Sequence, residues 1–139
     1  MAELELLQML IDGQWCSASD GAAFECIDPS TGMPWALIPE ASHADVNRAV
    51  EAAAAALEGS WGEMTPTQRG KHLARLADLL AAHSEEIGRI ETCDTGKMFK
   101  ETAWQATYIA EYLHFFAGAA DKISGDTLPI DKPEMFVFT

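Results

Sequence analysis

The apolar pattern of this chain changes period once, near Ser42, and that change constrains its fold more than any other feature. Before Ser42 apolar residues alternate or run in threes and fours between turn signals, as strands require. After it they recur at three- and four-residue spacing, as amphipathic helices require. In the first part, Met9-Leu10-Ile11 enters Asp12-Gly13 and leaves through Gln14-Trp15-Cys16, which predicts a hairpin. Phe24-Glu25-Cys26-Ile27 alternates before the turn Asp28-Pro29-Ser30-Thr31-Gly32. Trp35-Ala36-Leu37-Ile38 is a further apolar run, which Pro34 and Pro39 confine to an edge or a short strand.

Four helices follow. Ser42 with Asp45 three residues on makes a capping-box start, and Val46, Ala49, Val50, Ala53 and Leu57 then share a face. Thr65, Pro66 and Gln68 are N-cap, first helical position and N3 of a second helix with the stripe Leu73, Leu76, Ala77 and Leu80. Ser84-Glu85-Glu86 opens a shorter third helix, with Ile87 and Ile90 expected to face inward and Gly96 to stop it. The fourth, about Lys97 to Ala120, carries the stripe Ala106, Ile109, Leu113, Phe116 and Ala117, flanked by Tyr108, Tyr112 and Phe115. A surface that wide is expected to need more than one neighbour. The closing Glu134-Met135-Phe136-Val137-Phe138-Thr139 reads as a strand cut off mid-course, so the expectation is a chain built to continue.

Composition narrows the function. The 139 residues fit one domain or a piece of a larger one, and 9 Lys+Arg against 22 Asp+Glu give a net charge of −13. Such a deficit of cations excludes a phosphate-neutralising surface, so neither nucleic acid nor an anionic membrane is an expected partner. No apolar run approaches the roughly 20 residues of a membrane span. The start Met1-Ala2-Glu3-Leu4-Glu5 is acidic where a secretory signal is basic, and a cytoplasmic location is expected. Cys16, Cys26 and Cys93 are odd in number without a CxxC pair, which points to isolated thiols.

Motifs for chemistry are sparse. There is no G-x-G-x-x-G or G-x-S-x-G, and Thr95-Gly96-Lys97-Met98 lacks the earlier glycine and the following Ser or Thr of a phosphate loop. His43, His72, His83 and His114 lie 29, 11 and 31 residues apart, without metal-ligand spacing. Cys93 stands beside Asp94, whose carboxylate disfavours a thiolate. Asp94-Thr95-Gly96-Lys97 has two readings. It is a helix C-terminus with left-handed Gly96 and Lys97 at the negative dipole end. Or Asp94 faces inward to hold a cation or organise the turn beneath a binding site.

In order along the chain, Leu10–Trp15, Phe24–Gly32, Ile38–Ser42, Asp45–Ala53, the Arg69–Leu79 helix, Glu91–Lys97 and Phe116–Lys122 resemble the N-terminal part of NAD(P)-dependent aldehyde dehydrogenases. The resemblance implies an α/β parent fold with a Rossmann-type cofactor domain, a catalytic domain and an oligomerisation β arm. This chain would be a short N-terminal β element, four helices and a terminal edge strand. Residues 1–125 would belong to the cofactor-binding domain and residues 126–139 would begin the arm. The family oxidises an aldehyde to a carboxylic acid with NAD or NADP. A cysteine forms a thioester, an oxyanion hole includes an Asn side chain, and a glutamate activates water. All those residues, and the cofactor-binding ones, fall beyond position 139 in the family pattern, so no catalytic or cofactor-binding residue is assigned here. The resemblance also implies a K⁺ or Na⁺ site built from main-chain oxygens of Cys26 and Ile27 with Asp94 and a further ligand from sequence beyond position 139, the Cys26 thiol taking no part.

The expected partners are a small-molecule aldehyde and further copies of the complete enzyme. The competing reading is a non-catalytic interaction fragment that associates with itself or a full-length homologue through the Met135–Phe138 strand and the Tyr108, Tyr112 and Phe115 flank.

Overall fold

The computed structural model describes residues 4–139. The acidic start read from Met1-Ala2-Glu3 lies outside the described residues. Five strands come first: β1 (Glu5–Leu6), β2 (Met9–Ile11), β3 (Gln14–Cys16), β4 (Ala23–Asp28) and β5 (Met33–Pro39). Then come α1 (His43–Glu58), the single turn α2 (Ser60–Glu63), α3 (Pro66–Ala82), α4 (Ser84–Thr95) and α5 (Phe99–Ala119). The chain closes with β6 (Thr127–Leu128) and β7 (Val137–Phe138).

β2 and β3 form the hairpin expected of Asp12-Gly13, with Leu10 opposite Trp15. Asp12 at φ 53° and Gly13 at φ 70° give the turn a twist that matches its strands. The run at Trp35 departs from expectation, because β5 is the centre of a three-stranded sheet in the order β1-β5-β4. Its prolines are accommodated locally. β4 pairs Cys26 with Ala36 but Ile27 with Pro34, so Trp35 is the extra residue of a bulge, while Pro39 is the last residue of the strand. β1 joins in parallel only at Ala36 and Leu37, between the two prolines.

Both capping boxes form. Thr65 Oγ1 accepts from Gln68 N at 3.3 Å and Gln68 Oε1 from Thr65 N at 2.8 Å. At α1, Ser42 Oγ accepts from Asp45 N while Asp45 Oδ2 accepts from Ser42 N at 3.0 Å. Asp45 is fully buried and also accepts from Ser19 N at 3.1 Å and from the Arg48 guanidinium at 2.7 Å, tying the loop after β3 to the helix start. The Ser19 backbone N–H, then the Ser42 hydroxyl, hold its carboxyl well below the ordinary range. α2 has too few residues to display a period, which is why the sequence pattern does not announce it.

The helical core is α5 laid across α3 and α4. Ala77, Thr102, Ala106 and Ala110 are buried there. Thr102 Oγ1 donates to Gly88 O at 2.8 Å and lies 3.0 Å from Thr92 Oγ1. A Cβ on Gly88 would lie 2.7 Å from Ala103 N, and one on Gly70 2.6 Å from Ala117 O, so both neighbouring helices meet the α5 backbone through a glycine. The expected stripe is split: Ala106, Leu113 and Ala117 turn inward, whereas Ile109 and Phe116 turn outward beside Tyr108, Tyr112 and Phe115. Ile90 is half exposed rather than inward, and Val46, Val50 and Leu57 leave the apolar face of α1 uncovered. The terminal strand has a partner, β6, with Leu128 opposite Val137.

Gly88→Ala is expected to lower unfolding stability by about 1–3 kcal/mol, because the added methyl must part α4 from α5. Gly118→Ala, with nothing within 4 Å of its Cβ position, should be neutral or stabilising by up to about 1 kcal/mol. Denaturant titration of both variants checks this contrast. Because the folded Asp45 carboxyl sits below its unfolded value of about 3.9, its contribution is present above about pH 5 and fades as pH falls. The denaturation midpoint of Asp45→Asn should lie below that of the wild type at pH 7, with the gap narrowing toward pH 3.

Candidate functional site

The segment Glu91–Lys97 ends α4 and lies against the turn that follows β4. Gly96 caps the helix at φ 75°, its N–H donating to Thr92 O at 2.9 Å. A Cβ there would stand 2.9 Å from Pro29 Cγ, so this position needs both the left-handed backbone and the missing side chain. Thr95 Oγ1 donates to Glu91 O at 2.6 Å and accepts from Lys97 N at 3.3 Å. Lys97 Nζ completes the turn on Glu91 Oε1 at 2.7 Å. The opposing turn is equally braced, with Asp28 Oδ1 accepting from Ser30 N at 2.7 Å and its carboxyl lowered chiefly by that bond.

These two turns bring Cys26 and Asp94 together across 68 residues of sequence, the thiol donating to Asp94 Oδ1 at 3.0 Å. That hydrogen bond, followed by burial, pushes the Cys26 thiol up from its ordinary value, so it stays protonated rather than becoming a nucleophile. The neighbouring Trp35 holds its indole Nε1 buried, with no hydrogen-bond partner among the described residues. Asp94 also borders an apolar cavity of about 500 Å³ lined by Leu7, Trp35, Ile38, Ile87, Ile90 and Glu91.

The Asp94–Lys97 segment is a helix terminus, and its Asp94, exposed rather than turned inward, reaches across to Cys26 of β4. Cys26, Ile27 and Asp94 share one corner, with Ile27 and Asp94 on the surface. The Cys26 thiol contact and the bulge at Trp35 escape sequence reasoning. No periodicity or motif links residues so far apart, and only the two prolines hinted at a break in the ladder.

The other candidates stay apart. Cys16 and Cys93 are free, half-buried thiols. His83 pairs with Glu86 at 3.0 Å and His114 with Asp78 at 3.1 Å on the surface. Among the described residues no group of three or more His, Cys, Asp or Glu side chains is placed to hold a metal ion. Nor is any helix long and apolar enough to cross a membrane. The N-caps of the four long helices are Ser42, Thr65, His83 and Met98, none of them in a glycine-rich strand-to-helix turn.

The sequence profile of the aldehyde dehydrogenase family matches residues 15–139. The chain is 46% identical over 134 residues to (Z)-2-((N-methylformamido)methylene)-5-hydroxybutyrolactone dehydrogenase of Acinetobacter baylyi, covering 95% of this chain and 27% of that protein. It is 40% identical to phenylacetaldehyde dehydrogenase of Pseudomonas fluorescens, covering 91% of this chain and 26% of the relative. The solved NAD⁺ complex of aldehyde dehydrogenase from Bacillus cereus superposes on 96% of this chain with a TM-score of 0.90 at 34% identity, using 28% of its own length. The chain thus spans about a quarter of the length of the curated relatives it matches. With the family profile matched over residues 15–139 and a solved family member superposing on 96% of its length, the chain belongs to the aldehyde dehydrogenase family.

Proposed function

We propose that the chain is the N-terminal segment of a cytoplasmic oxidoreductase that converts an aldehyde to a carboxylic acid with NAD or NADP through a cysteine thioester. The observation that carries this reading is the ordered match over residues 15–139 to a family of dehydrogenases. The nucleophilic cysteine and the water-activating glutamate are assigned to sequence outside these 139 residues. Within them, the raised Cys26 thiol is committed to Asp94, and no step of hydride transfer is assigned to the described residues. Their contribution is structural: residues 1–125 form part of the cofactor-binding domain, and residues 126–139, with Phe136 and Phe138 exposed beside β6, begin an arm through which copies of the enzyme associate.

The corner at Asp94 is proposed to hold a monovalent cation, K⁺ or Na⁺. Main-chain oxygens of Cys26 and Ile27 and the Asp94 carboxylate are hard donors carrying one negative charge, suited to such an ion. The bulge beside Cys26 and Ile27 disrupts the ladder at this point, and among the described residues only one Asp94 oxygen, the acceptor of the thiol, makes a hydrogen bond. The cation would neutralise a surface carboxylate between two turns that the fold already brings together.

The 139-residue chain, purified to homogeneity, is expected to oxidise no aldehyde and to give no heat of binding with NAD in calorimetry. Turnover of any aldehyde by that preparation overturns the proposed division of labour. For the cation, replacing choline chloride by KCl should raise thermal stability by about 1.4 kcal/mol once K⁺ exceeds its Kd tenfold. Asp94→Ala should abolish that response while Cys26→Ser, which keeps its carbonyl, preserves it. An Asp94→Ala chain that responds to K⁺ like the wild type rules the site out.

A further inference from the structure

We infer that the Cys26 thiol is a positioning residue of the cation corner: it holds the Asp94 carboxylate in place and so tightens K⁺ binding without touching the ion. This rests on the cation reading proposed above, and it gives a part to a side chain for which the family resemblance implies none. The backbone of the corner is fixed from both sides. Gly96 abuts Pro29, Thr95 Oγ1 donates to Glu91 O and accepts from Lys97 N, and Asp28 Oδ1 accepts from Ser30 N. None of these contacts reaches the Asp94 side chain, which stands exposed at the end of α4. Among the described residues its carboxylate has one hydrogen-bond partner, the Cys26 thiol at 3.0 Å, and no ion pair. Lys97, the nearest cation in sequence, is committed to Glu91 Oε1 at 2.7 Å.

The thiol suits this task. It is a neutral donor, so it orients the carboxylate and leaves the negative charge for the cation, where a lysine or arginine would cancel it. The indole of Trp35, the bulge residue opposite Cys26 and Ile27, can only donate, so that neighbour does not draw the thiol proton away from Asp94. Cys26 also carries one of the main-chain oxygens proposed as ligands. One residue therefore supplies an oxygen and restrains the carboxylate that joins it from 68 residues away. With Oδ1 engaged by the thiol, Oδ2 is left for the ion, beside a ladder already broken between Cys26 and Ile27. A side chain that has to be ordered at the moment of binding weakens affinity by about twofold to tenfold. The thiol orders Asp94 beforehand.

The test is a K⁺ titration of thermal stability in the 139-residue chain, with choline chloride holding the ionic strength constant, from which the Kd is read. Cys26→Ala should raise the Kd about threefold to tenfold. Cys26→Val, which also lacks a donor but keeps the strand filled, should match it. Cys26→Ser, whose hydroxyl still donates, should stay within about twofold of the wild type. A role confined to packing gives a different pattern, in which Cys26→Ala and Cys26→Val shift the midpoint in choline and leave the Kd alone. That pattern overturns the proposal. So does a Cys26→Ala chain that binds K⁺ more tightly, since the thiol is then a competitor of the ion. A second readout is the infrared S–H stretch of Cys26, taken as the difference between wild type and Cys26→Ser, which falls in frequency when the thiol donates. It should hold its lowered frequency from zero to saturating K⁺ and rise in Asp94→Ala. A rise on adding K⁺ to the wild type overturns the proposal. If the wild type shows no response to K⁺, the cation reading fails and the positioning role with it. If the wild type responds and all three Cys26 variants respond identically, the cation reading stands and the positioning role alone is overturned.

Discussion

The helical body depends on the close approach of α5 to two other helices. Gly88 of α4 and Gly70 of α3 each present bare backbone to α5, and Thr102 sits at the α4 crossing with its hydroxyl bonded to Gly88 O and within reach of Thr92. Small residues buried at Ala77, Ala106 and Ala110 let the three helices approach closely. At such distances dispersion contacts are many and a single methyl is felt. The buried threonine is tolerated because its hydroxyl is bonded.

That packing places the rest. It fixes the end of α4, and with it the left-handed Gly96, against Pro29 of the β4–β5 turn. Two locally braced turns then meet, and Asp94 reaches the Cys26 thiol. Each turn is stabilised by short-range hydrogen bonds of its own, so the corner is assembled from rigid parts. This suits a site where a carboxylate and main-chain oxygens have to keep a fixed spacing.

The same geometry leaves the outer side of α5 uncovered. Its inner side is lined by small residues, so the helices pack closely and cannot wrap the large rings beyond. Tyr108, Tyr112, Phe115 and Phe116 are excluded from the core by their own volume as much as by their angular position. A net charge of −13 favours solubility for a chain with that much apolar surface.

Much of the local structure was legible from neighbouring residues. Asp12-Gly13 specifies its hairpin because the turn needs positive φ, Ser42 and Thr65 start their helices because orphan N–H groups need acceptors, and Gly96 stops α4 because it can turn left-handed. The membership of Cys26, Ile27 and Asp94 in one corner was legible only through the family resemblance. Periodicity alone could not divide the α5 stripe, since Ile109 and Phe116 lie on the same broad apolar arc as Ala106 and Leu113. Nor could it make β5 central, because Pro34 reads as an edge signal until the bulge at Trp35 accommodates it. The sequence by itself determined where helices and turns begin and end, since those choices rest on hydrogen bonds within a few residues. Only the tertiary structure decided which apolar face is covered and which carboxylate meets which thiol, because those outcomes depend on volumes and backbone approaches between segments far apart in the chain.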